Sequence, residues 1–136
     1  MKIAKSLLPN DSFSFPGITQ NLLEKIKDSA MLILSSDYEG LPNIIIEAML
    51  MGIPVISTDC PSGGPRALID DGQNGLLVPV GDPYALCNAM LRIAEDSDFS
   101  KMLVNNAKMA REKFNLQSVG KKWKDYLYAV YIKNKK

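Results

Sequence analysis

The chain has 136 residues, 46% of them hydrophobic, and 16 lysines and arginines against 15 aspartates and glutamates give a formal net charge of +1. A chain of this size is one domain able to bury a real core, and near-balanced charge with no single-sign block ahead of the terminal lysines excludes a dedicated nucleic-acid surface. The absence of histidine removes Ser-His triads, histidine-based acid–base chemistry and most transition-metal sites.

Ser12-Phe13-Ser14-Phe15 alternates and reads as a strand, broken by Pro16-Gly17. A helix over residues 19–29 follows, and then Met31-Leu32-Ile33-Leu34, an apolar run ended by Ser35-Ser36-Asp37 that suits a strand buried on both faces. The next helix is expected over residues 43–51, with Gly40 supplying backbone freedom before it, Pro42 at the first helical position, and Gly52 with Pro54 closing it. Val55-Ile56-Ser57-Thr58 reads as another buried strand. Pro65 begins a short helix ending near Asp70, and turns at Asp71-Gly72 and Asn74-Gly75 precede a strand over residues 76–80. Gly63-Gly64 reads equally as a close backbone approach to a ligand and as a plain turn after Pro61.

Asp82-Pro83 is an N-cap followed by a first-turn proline, and Leu86, Met90 and Ile93 mark a helix to about Glu95. A helix over residues 98–113 sets Phe99, Leu103, Ala107 and Ala110 on one face. The last, over residues 116–132, puts Val119, Trp123, Leu127 and Val130 on a stripe expected to face a core. Alternating strands and helices define an α/β class with a Rossmann-like parallel sheet, right-handed crossovers and helices on its flanks. No apolar run reaches the length of a membrane span and there is no signal-peptide core, so cytoplasmic placement is expected. Cys60 and Cys87 have no metal or redox spacing and are expected to be reduced thiols, and Asp70-Asp71 reads as a turn, so no metal site is assigned.

The most informative segment lies between Glu39 and Glu47, which stand on either side of seven residues, the second within an apolar run. Ionised carboxylates removed from water are costly unless paired or hydrogen-bonded, so a partner in the protein or on a ligand is expected. The first-turn N–H groups of the helix, at Asn43 and Ile44 especially, have no intrahelical acceptor and favour a phosphate at the carboxyl end of the preceding strand. Asn43 and Glu47, four residues apart, share a helix face, while Glu39 lies on the loop before it. One ligand can therefore meet the loop carboxylate, the amide cluster and the helix carboxylate in succession. Taken singly, Glu39 reads equally as a ligand contact or as a solvated loop residue, and Glu47 equally as a ligand contact or as half of a partly exposed ion pair.

The spacing of the two glutamates, the lead-in Ser35-Ser36-Asp37-Tyr38-Glu39-Gly40-Leu41-Pro42-Asn43 and the tail from Glu47-Ala48-Met49 through Gly52 to Pro54-Val55 resemble the donor-site motif of the family 4 (group 1) retaining glycosyltransferases, which have the GT-B fold. Thr58-Asp59-Cys60-Pro61-Ser62-Gly63-Gly64-Pro65-Arg66 resembles that family's glycine loop, and residues 71–82 its next turn and strand. The resemblance covers about residues 13–131. It departs from the family at Ala67, where a glutamate often follows Pro-Arg, which leaves Arg66 as a candidate anion contact.

What the resemblance implies is a donor-binding domain. Glu39 and Gly40 would contact the donor sugar, backbone amides at Leu41, Asn43 and Ile44 would hold the diphosphate, and Glu47 would bind the ribose hydroxyls. It assigns no catalytic residue, metal or resident cofactor to this chain, the nucleotide sugar being a substrate. The GT-B architecture needs two Rossmann-like domains. Residues 1–136 are therefore expected to be the C-terminal one, inactive alone, with the acceptor domain and the first donor-domain strands ahead of residue 1. The whole enzyme would serve glycan, polysaccharide or lipid-linked acceptors, cytoplasmic or peripheral to the inner membrane face. Tyr126, Tyr128 and Tyr131 are expected to be partly uncovered. The alternative is a non-catalytic nucleotide-sugar-binding or interaction module that self-associates through an exposed sheet edge.

Overall fold

The computed structural model describes residues 2–110 and 116–133, and its framework is a three-stranded, wholly parallel sheet ordered β1-β2-β3. Strand β1 spans Leu32–Leu34, β2 Val55–Thr58 and β3 Leu76–Val78. Helix α1 (Lys2–Leu7), a 3-10 turn at Asn10–Ser12 and α2 (Leu22–Ile26) precede the sheet. Helices α3 (Asn43–Met51) and α4 (Gly64–Leu68) connect its strands, and α5 (Pro83–Glu95), α6 (Ser97–Ala110) and α7 (Leu116–Lys133) follow it.

Strand alternation sorts the core into two layers. Leu32, Leu34, Val55 and Leu77 join Ile45, Ala48 and Met49 of α3, together with Leu68, Ile69 and Ala107, on one face. Ile33, Ile56, Leu76 and Val78 join Ala85, Leu86, Ala89 and Ile93 of α5, together with Phe99 and Leu103, on the other. Leu32 pairs with Val55 and Ile56 with Leu76, so each register pair delivers its side chains to one layer. Helix α6 contributes to both layers through Leu103 and Ala107, packs on α3 and on α5, and donates from Asn106 Nδ2 to the Gln73 carbonyl at 2.9 Å.

The helix boundaries have local causes. Gly52 closes α3 in the left-handed region at φ 79°, where its N–H and that of Ile53 reach the carbonyls of Met49 and Ala48, an ending that favours glycine. The Asp82 carboxylate caps α5, accepting from the N–H groups of Tyr84 at 3.0 Å and Ala85 at 2.9 Å, which stabilises the helix by about 1 kcal/mol. The Asn74 side chain is buried and joins two segments, accepting from Asp70 N–H at 2.8 Å and donating to the Leu68 carbonyl at 3.3 Å. It therefore shapes the turn before β3.

Several expectations are corrected. Residues 12–15 form no strand: Ser12 ends the 3-10 turn and Phe13 is extended, but no strand among the described residues pairs with this stretch. The helix expected over residues 19–29 contracts to α2, and that over residues 65–70 to α4, which begins one residue earlier, at Gly64. Strand β3 ends at Val78, two residues short of the expected Val80. Pro42 is the N-cap of α3 rather than its first helical residue. Strand β1 is half-buried because it forms an edge of the sheet, whereas β2 is buried throughout.

On α5, Met90 turns outward and Ala89 takes the buried position. Helix α6 begins at Ser97 and reaches Ala110, and the expected continuation over residues 111–113 lies outside the described residues. The α7 stripe does not face a core within the described chain: Trp123 is 61% and Leu127 58% exposed, and Val119 and Val130 are uncovered as well. Tyr126, Tyr128 and Tyr131 are exposed, as expected.

Candidate functional site

The loop joining β1 to α3 carries Glu39, and the first two turns of α3 carry Asn43, Ile44 and Glu47. Ile45 N–H bonds to the Pro42 carbonyl at 3.1 Å, whereas the N–H groups of Leu41, Asn43 and Ile44 have no acceptor among the described residues. Three donors are thus left at the positive end of a nine-residue helix, directly beyond the carboxyl end of β1. Glu39 and Glu47 are both half-buried, and neither belongs to an ion pair among the described residues; the three pairs there are Lys27 with Glu24, Arg66 with Asp59 and Lys101 with Asp98. Glu47 has no hydrogen-bond partner among them at all. Glu39 has one, the Ser36 hydroxyl, which donates to Oε1 at 2.6 Å.

The loop bearing Glu39 is fastened to the loop after β2. Ser62 Oγ donates to the Glu39 carbonyl, and the Thr58 hydroxyl and Cys60 thiol both donate to the Ser36 carbonyl, the thiol at 3.2 Å. Gly64 is buried against Gly40: a Cβ there would land on the Gly40 carbonyl oxygen, 2.6 Å from its carbon and 3.1 Å from the Glu39 oxygen. Gly64 therefore makes a close backbone approach within the chain, to the loop bearing Glu39, which is not the approach to a ligand that the sequence offered. Gly63, at φ 78°, makes the turn that precedes it.

Arg66 is engaged by Asp59 in a two-pronged contact, Nε to Oδ1 at 3.0 Å and Nη2 to Oδ2. That hydrogen bonding first, and the carboxylate's charge second, raise the guanidinium pKa further above its ordinary value, so Arg66 stays charged throughout the working pH range. Arg66 and Asp59 line a hollow of about 700 Å³ beside β3, with Asp70, Asp71 and Pro79. A smaller depression of about 210 Å³ lies at the carboxyl ends of all three strands, between Ser35, Thr58, Val78 and Leu86. Glu39 and Glu47 line neither. Cys60 is buried and Cys87 exposed, both as free thiols.

In the sequence Ser36 and Ser62 have no assignment beyond their places in the motifs. A hydroxyl three residues ahead of Glu39 was the available local signal for Ser36; the contact between Ser62 and Glu39 spans 23 positions and needed the fold.

A parallel sheet with these two linked loops at its carboxyl end matches known proteins. The family model for group 1 glycosyl transferases covers residues 2–96. The chain is 33% identical over 109 residues, 80% of its length, to the GalNAc-alpha-(1->4)-GalNAc-alpha-(1->3)-diNAcBac-PP-undecaprenol alpha-1,4-N-acetyl-D-galactosaminyltransferase of Campylobacter jejuni, and spans 30% of that protein. It is 48% identical over 62 residues, 46% of its length, to the lipopolysaccharide 1,6-galactosyltransferase of Salmonella typhimurium, and spans 17% of that one. The crystal structure of Anabaena HepE in complex with UDP-glucose shares the fold, with TM-score 0.82, 23% identity, 94% of this chain and 35% of that chain covered. The chain belongs to the group 1 glycosyltransferases and corresponds to the C-terminal domain region of their GT-B fold. No helix among the described residues is long and apolar enough to cross a membrane.

Proposed function

We propose that this domain holds the nucleotide-sugar donor of a retaining, metal-independent glycosyltransferase that delivers a sugar to an acceptor hydroxyl. The observation that carries the reading is the pair of half-buried carboxylates without cationic partners among the described residues, one before and one after, in chain order, three unsatisfied N–H groups at and just ahead of the α3 N-terminus. Free carboxylates suit sugar and ribose hydroxyls, which donate hydrogen bonds, and amides at a helix start suit a diphosphate. Glu39, beside Gly40, takes the donor sugar, the N–H groups of Leu41, Asn43 and Ile44 take the diphosphate, and Glu47 takes the ribose. As the bond from sugar to phosphate breaks, negative charge grows on the nucleoside diphosphate, and fixed amide dipoles stabilise it without reorganising. The chain contributes no nucleophile or base in this reading and, alone, binds donor weakly without turnover.

The HepE complex with UDP-glucose supports a uridine donor, and the names of the two curated relatives support a glycan or lipid-linked acceptor. A thermal-shift panel of UDP, UDP-glucose, UDP-galactose, UDP-N-acetylgalactosamine and GDP-mannose at millimolar concentration tests it. At ten times its dissociation constant a ligand stabilises the folded state by about 1.4 kcal/mol, enough to raise the melting temperature by a few degrees. A panel without any shift would overturn the reading.

The second reading, a self-associating module without catalysis, is favoured by one observation. Strand β1 is an edge of the sheet, and its three residues, all apolar, are half-buried. Light scattering should then give dimers or larger species, and a monomer at high concentration would remove that reading.

A further inference from the structure

We propose that Ser36 is a positioning residue for the donor sugar, acting through Glu39 and held in place by the end of β2. The inference rests on the assignment of Glu39 to the sugar. A glutamate on a loop has three side-chain torsions to fix, and the rotamer entropy lost on binding opposes a weak ligand. The Ser36 hydroxyl removes much of that freedom in advance, donating to Oε1 at 2.6 Å, the length of a charge-assisted O–H···O contact. It leaves Oε2 without a partner among the described residues, available to a sugar hydroxyl.

Ser36 is itself anchored from outside its own loop. Its carbonyl accepts from the Thr58 hydroxyl and from the Cys60 thiol, residues 22 and 24 positions away, and the Leu34 carbonyl lies 3.3 Å from the same Thr58 oxygen as a second, shared acceptor of its one hydrogen. Thr58 and Cys60 are both buried at the end of the central strand. The order of support therefore runs from the rigid middle of the sheet through the Ser36 peptide to its hydroxyl and then to the carboxylate. Sites built on such a supporting layer keep the placement that recognition needs. Nothing in this relay touches the amides of α3 or Glu47, so its effect is confined to the sugar and spares the nucleotide.

The test measures, by NMR titration of this chain, how much more tightly it binds the best sugar nucleotide of the panel than the bare nucleotide. Ser36→Ala is expected to lower that ratio about fivefold or more, with the affinity for the bare nucleotide changed less than about twofold. Ser36→Thr, which keeps the hydroxyl, should restore most of it. Thr58→Val, which keeps the shape of Thr58 but not its hydroxyl, should lower the ratio in the same direction. An unchanged ratio in Ser36→Ala, or an equal loss for nucleotide and sugar nucleotide, would overturn the positioning role while leaving the donor-binding reading intact. A parent chain that binds neither compound would overturn the donor-binding reading, and this one with it.

Discussion

Gly64→Ala is expected to destabilise the domain by about 2–3 kcal/mol, lowering the melting temperature by on the order of 10 °C. The new Cβ would fall on the Gly40 carbonyl, and both obstructing groups, the Gly40 and Glu39 carbonyls, are backbone. Relief therefore requires one loop to retreat from the other, against the bond from Ser62 to the Glu39 carbonyl and the two donors that hold Ser36. Gly40→Ala is the informative contrast. A Cβ at Gly40 meets nothing within 4 Å, and its φ is not in the left-handed range, so that variant should keep near-parental stability. Urea denaturation of the two variants checks the asymmetry; equal losses, or none in Gly64→Ala, would show that the loops are not in contact as described.

Glu47→Ala should reduce affinity for both nucleotide and sugar nucleotide by at least about tenfold, to the point of no measurable binding, with little change in stability. Glu47 is half-buried and makes no ion pair or hydrogen bond among the described residues, so the folded domain loses none when it is truncated. Alanine is also the better helix former. A residue whose polar atoms serve only the ligand gives this split between binding and melting temperature. Calorimetric titration with a melting curve on the same sample decides it: a clear fall in stability with unchanged affinity would assign Glu47 to the helix instead. Unlike Ser36→Ala, this variant should affect the bare nucleotide as much as the sugar nucleotide.

The parts of the fold legible in the sequence were those specified by short-range chemistry. Val55, Ile56 and Thr58 are β-branched in a run of four, and that run is the buried central strand. Helix α3 has the expected limits because Pro42 and Gly52 fix its two ends locally, and Asp82 with Pro83 does the same for the start of α5. The failures share one cause, that pattern alone does not supply a neighbour. Residues 12–15 alternate like a strand, yet an extended segment becomes one only when another strand satisfies its backbone. The stripe on α7 has the period of a buried face, yet among the described residues Trp123 and Leu127 stay more than half exposed.

At the site, the sequence showed which residue types lie at the start of α3 and that family resemblance assigns them to a donor. It could not show that the loop bearing Glu39 leans on the one bearing Gly64. That depends on the parallel register of β1 with β2, which sets Leu34 beside Ser57 and so brings the two following loops together. Ser36, Thr58 and Cys60 are ordinary residues for the ends of strands, and only the fold turns them into a relay.

Helix α6 has a consequence for how the domain comes apart. Leu103 is packed with the α5 layer and Ala107 with the α3 layer, one helical turn apart on a single rigid rod. Detaching either layer strips one end of that rod and exposes its other anchor to water. The two sides of the sheet are thereby coupled into one cooperative unit, and the slowest-exchanging amides should be shared between α3, α5 and β2 instead of being confined to one side.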